Sequence, residues 1–139
     1  WLQCPMISNE NANVPYGELN FFEKVGFTDM QNLYKMLATD WEKQQSDFHL
    51  LPGRMPAEML KKLPPTVVWT SEFDMIRRDA VAFINRMEEA DAPLLDYLSV
   101  AGGAHGYENF ELGPLRTLFH DSMIAAWKNY VLDQKNQEV

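Results

Sequence analysis

The stretch Leu63-Pro64-Pro65-Thr66-Val67-Val68-Trp69-Thr70-Ser71-Glu72-Phe73-Asp74-Met75-Ile76-Arg77 decides the fold. Thr66 to Thr70 are β-branched or aromatic, which reads as a central strand. Downstream, Ile76, Ala80, Phe83, Ile84 and Met87 recur at helical spacing, predicting a helix over about 77–90 that Ala92-Pro93 breaks. A second strand is expected over about 94–99, then the glycine-rich loop Ala101-Gly102-Gly103-Ala104-His105-Gly106. A last helix is expected over about 112–132, with Leu115, Phe119, Met123, Ala126 and Tyr130 facing inward. Strand–loop–helix repeated twice implies a parallel sheet with crossover helices. Ligands bind beyond the carboxyl ends of such strands, so loops 71–76 and 100–107 are the ones to read for chemistry.

Upstream the pattern is less regular. Residues 1–8 read as a short buried strand that Pro5 pushes toward an edge or a bulge, and 9–17 as loop. A short helix over 18–25 should stop at Gly26. Thr28 and Gln31 form a capping-box pattern, and Met30, Leu33, Tyr34, Leu37 and Trp41 a stripe, predicting a helix over about 29–45. Residues 46–55 read as loop, and Pro56 opens a short helix that Pro64 ends.

The chain has 139 residues, 46% of them hydrophobic, which suits one domain or a piece of one with a sizeable core. Twelve Lys and Arg against twenty Asp and Glu give a net charge of −8. That disfavours nucleic acid, whose phosphates need a basic face, and anionic lipid surfaces. No apolar run approaches membrane-spanning length. One cysteine, Cys4, excludes an internal disulfide and a Cys-based metal site; it fits a reducing compartment, which slightly favours the cytoplasm. Cys4 is expected to be an ordinary buried strand residue. The opening at Trp1 reads as the interior of something already under way, so the chain is expected to be a fragment.

Asp74 and His105 follow successive strands and should reach the same rim of the sheet. A carboxylate there can accept a hydrogen bond from one imidazole nitrogen and stabilise the imidazolium formed during acyl transfer. The plainer readings are a loop histidine without a role and a carboxylate that caps the following helix, and the second is compatible with catalysis. Glu72 is a rival acid, expected to point to the opposite side of an extended chain. His49 and His120 are expected at or near the surface, and no metal spacing links the three histidines.

The run Leu63–Arg77 resembles the acid strand and loop of the hormone-sensitive-lipase-like branch of α/β-hydrolases, which shows Leu-Pro-Pro, an apolar strand, then Asp-Pro-Leu-Arg. Gly102-Gly103-Ala104-His105-Gly106-Tyr107 resembles its Gly-x-x-His-Gly-Phe. Met75 stands where proline is common, and Arg78 where an acidic residue often follows. The resemblance implies the C-terminal portion of a doubly wound, mostly parallel hydrolase sheet: about 9–62 as part of a helical cap, about 63–132 as acid strand, helix, histidine strand and final helix. It implies Asp74 as triad acid, His105 as triad base and Tyr107 as a pocket residue, acting on a small ester, with no cofactor and no metal.

The family's nucleophile elbow, Gly-x-Ser-x-Gly, is absent: none of Ser8, Ser46, Ser71, Ser99 and Ser122 has glycine two places on either side. The His-Gly-Gly oxyanion motif is absent too. In the family both lie upstream, so the expected partner is a missing N-terminal hydrolase segment, or failing that a second copy. The alternative is a non-catalytic hydrolase-like subunit or interaction module, favoured by an unclosed sheet edge.

Overall fold

The computed structural model describes residues 2–3, 5–106 and 114–137, apart from the side chains of Leu115 and of 131–137. The chain falls into two units, Trp1–His105 and Gly106–Val139. In the first, three parallel strands lie in the order β1 (Leu2–Gln3), β2 (Thr66–Phe73), β3 (Leu94–Ala104). Strand β2 is the middle one, which is why Thr66 to Ser71 are all buried and the segment carries no polar alternation. Helix α4 (Arg77–Glu89) connects β2 to β3 and lies where its periodicity placed it. Ala80, Phe83, Ile84 and Met87 form its buried face. With Val68, Leu60 and Ala90 they make the core, flanked by Leu2, Ile7, Met55, Leu63, Ala92 and Leu94.

Between β1 and β2 the helices differ from the sequence reading. One helix, α1, spans Phe21–Met36, where a break at Gly26 was expected. Its cap is Asn20: the Asn20 side chain accepts from Glu23 N at 3.0 Å, and Glu23 returns the bond to Asn20 N at 2.8 Å. Gly26 is interior because the helix passes close to Met75. A Cβ at Gly26 would lie 2.9 Å from both Met75 Cβ and Cγ. Glycine is therefore a close-approach residue here rather than a stop. Helix α1 ends before residue 40 because Gln44 Oε1 accepts from both Thr39 N and Asp40 N at 3.0 Å and starts a new turn. That turn is α2 (Trp41–Gln44), and α3 (Ala57–Leu60) follows, with Pro56 as its cap rather than its first residue.

Gly26→Ala should lower stability even though alanine is the better helix former by about 1 kcal/mol. Overpacking against Met75 costs about 1–3 kcal/mol. Urea unfolding should show a lower midpoint with unchanged slope; a raised midpoint would mean that Met75 moves aside freely.

The second unit is built on α5 (Pro114–Gln137). Phe119 is buried, and Met123, Ala126 and Tyr130 are half-buried. Leu115 and Tyr107 lie outside the described side chains, and Cys4 outside the described residues. Among the described residues no helix is long and apolar enough to cross a membrane.

Candidate active site

Asp74 is the first residue beyond β2, and His105 the first beyond β3. Asp74 Oδ1 lies 2.9 Å from His105 Nδ1. The Asp74 side chain is fully buried, while that of His105 is 43% exposed, so the pair offers an imidazole at the surface backed by a carboxylate in the interior. Asp74 Oδ1 also accepts from Ile76 N at 2.9 Å, a turn just before α4 rather than a side-chain cap of the helix, so this local bond and the histidine contact coexist on one oxygen. Asp74 Oδ2 is buried without a hydrogen-bond partner among the described residues.

The loop that carries Asp74 is fastened from several sides. Asn11 Nδ2 donates to Met75 O at 2.6 Å, and Met75 sits against Gly26 of α1. Phe73 stacks on Phe22, their ring centroids 4.6 Å apart. Asp79, in the first turn of α4, is a buried carboxylate that the sequence reading did not single out. Its Oδ2 accepts from Ile7 N and Ser8 N at 2.9 Å, from Asn9 N at 3.1 Å and from the Tyr34 hydroxyl; its Oδ1 accepts from Glu10 N at 2.8 Å. Asn9 reaches this geometry with a φ of 55°, in the left-handed region that asparagine tolerates. The loop following β1 is thus pinned onto the start of α4. Glu23, also buried, pairs with Arg78 of α4 at 2.7 Å.

Burial pushes the Tyr34 phenol well above its ordinary value, and the Asp79 carboxylate adds to the rise. A raised pKa in the folded state means that this contribution is complete below the unfolded pKa of about 10 and is lost as pH climbs beyond it. Stability should therefore fall above about pH 10. Tyr34→Phe should flatten that fall in urea titrations across alkaline pH; an unchanged slope would contradict the assignment.

Within the same unit, His49 does not join the site. His49 is exposed and pairs with Asp47 at 2.9 Å, two residues away. The backbone N–H of His49, then its ring, hold the Asp47 carboxyl below its usual range. An exposed local pair of this kind matches Asp74–His105 in distance but not in burial, nor in the 31 residues that separate the partners. His120 is exposed, edge-on to Phe119. Among the described residues no cluster of His, Cys, Asp or Glu could hold a metal.

Glu72 is exposed, and its Oε2 accepts from Gly102 N at 2.8 Å. It goes to a different partner from Asp74, although not through alternation, since residues two apart in a regular strand share a face. The strand ends at Phe73, and Asp74 turns away into the interior.

The fold has counterparts among known proteins. The structure of a mutant of esterase rPPE in complex with (S)-Ac-CPA matches with a TM-score of 0.50 and 29% identity, over 61% of this chain and 27% of that one. Brefeldin A esterase, described as a bacterial homologue of human hormone sensitive lipase, matches with a TM-score of 0.57 and 22% identity, over 94% of this chain and 36% of that one. The chain thus spans 27% and 36% of these two proteins. No curated protein matches it. The family model described as alpha/beta hydrolase fold matches residues 2–109, and the chain belongs to that family.

Proposed function

We propose that this chain supplies the acid and the histidine of a Ser-His-Asp triad in a carboxylic ester hydrolase of the hormone-sensitive-lipase-like branch. The observation that carries the proposal is the 2.9 Å contact between buried Asp74 and half-exposed His105 at the carboxyl ends of neighbouring parallel strands. The esterases among its structural relatives support it. Asp74 holds the Nδ1 proton, leaving Nε2 as the basic nitrogen. His105 Nε2 takes the proton of an attacking serine, then returns it to the departing alcohol. Asp74 stabilises the imidazolium in between. The serine and the oxyanion donors come from a segment that this sequence does not contain, carrying Gly-x-Ser-x-Gly. Residues 9–62 serve as part of the cap, and Tyr107 lines the ester pocket.

Reading the coding sequence upstream of Trp1 tests this directly. A Gly-x-Ser-x-Gly motif there is the expected finding. Its absence would leave the pair without a nucleophile and favour the interaction module.

A further inference from the structure

The pairing of β2 with β3 carries an irregularity at the site. Ser71 is opposite Val100, yet Phe73 is opposite Ala104, so Glu72 alone faces three residues, Ala101, Gly102 and Gly103. Two residues of β3 are extra. An unbroken register would set Asp74 opposite Gly103, with His105 two positions further along the strand. At about 3.3 Å per residue that would shift His105 roughly 7 Å along the strand from the position facing Asp74. The bulge absorbs those two residues and delivers His105 to Asp74. It depends on Gly102, whose φ of +72° suits glycine and whose N–H points out of the ladder. That N–H is held by the Glu72 carboxylate.

We infer that Glu72 is a positioning residue: its carboxylate clasps the bulge through Gly102 N–H and so fixes His105 against Asp74. The inference rests on the triad reading above. It assigns Glu72 no contact with the reacting atoms. A clasp needs only an acceptor oxygen, so glutamine can replace glutamate and alanine cannot.

The test follows the His105 ring in the full 139-residue chain by histidine-selective ¹⁵N labelling. The wild type should show a low-field Nδ1–H resonance, assigned by its disappearance in His105→Ala. Glu72→Gln should retain it and Glu72→Ala should lose it, with the His49 and His120 resonances unmoved as evidence that the fold is intact. Retention in Glu72→Ala would overturn the clasp, and so would loss in Glu72→Gln, whose amide oxygen still accepts. Asp74→Ala, which removes the acceptor, separates the two claims. Loss of the resonance in Asp74→Ala but not in Glu72→Ala would sink the clasp alone; retention in Asp74→Ala would sink the Asp74–His105 pairing on which both stand.

Discussion

Asp74→Asn, introduced into the enzyme assembled with its nucleophile segment, should lower kcat on a short acyl ester by about 10⁴. The amide is nearly isosteric with the carboxylate, so the fold and the contact survive. What changes is the proton. An asparagine that presents its NH₂ to Nδ1 favours the tautomer with the proton on Nε2, which cannot take a proton from serine. An asparagine that presents its oxygen keeps the tautomer but carries no charge to stabilise the imidazolium. His105→Ala should cost at least as much, because it removes the proton carrier itself. Glu72→Gln should cost far less, since its hydrogen bond to Gly102 needs only an acceptor. A larger loss from Glu72→Gln than from Asp74→Asn would mean that the acid has been misassigned.

Asp79→Ala should be the most damaging substitution for stability. It removes the acceptor of four backbone N–H groups and of the buried Tyr34 hydroxyl together. One unsatisfied buried donor costs about 1–3 kcal/mol, but partial relaxation and entering water keep the losses from adding in full. A total of about 3–5 kcal/mol matches what breaking buried charged networks costs. Domains of this size have roughly 5–15 kcal/mol in hand, so the variant should sit near the unfolding threshold at 37 °C. Asp79→Asn keeps one acceptor oxygen and should fall between. Urea unfolding measures both; a Asp79→Ala variant within 1 kcal/mol of wild type would show that the 7–10 segment is not anchored there.

Those two carboxylates mark how far the sequence could be read. Asp74 was legible because its neighbourhood is local: an apolar strand, an acid at its end, a helix with a clear stripe, then the same pattern closing on His105. Parallel strands joined by one helix leave the two loops on one rim whatever the details. Asp79 was not legible, because a first-turn acid is commonplace at a helix start and its amide partners lie up to 72 residues earlier. Gly26 misled for a related reason. Glycine is a poor helix former, and only the passage of Met75 beside it explains a glycine in mid-helix. Gly102-Gly103 read as part of a glycine-rich loop, whereas β3 continues through them to Ala104 as a bulge. The sequence reading expected strand β3 to end at 99, because the glycines conceal the pairing that resumes at Phe73 and Ala104.

The most direct test is an assay of the purified chain on a chromogenic short-chain ester, alone and mixed with an N-terminal segment bearing Gly-x-Ser-x-Gly. The chain alone holds a base and its orienting acid but neither a nucleophile elbow nor oxyanion donors, so it should show no turnover sensitive to a serine-directed covalent inhibitor. The mixture should gain inhibitor-sensitive turnover, and His105→Ala in the chain should abolish it. Inhibitor-sensitive turnover by the chain alone would contradict the account, placing a nucleophile among Ser8, Ser46, Ser71, Ser99 and Ser122. A mixture that stays active with His105→Ala would contradict it equally, because the base would then lie elsewhere.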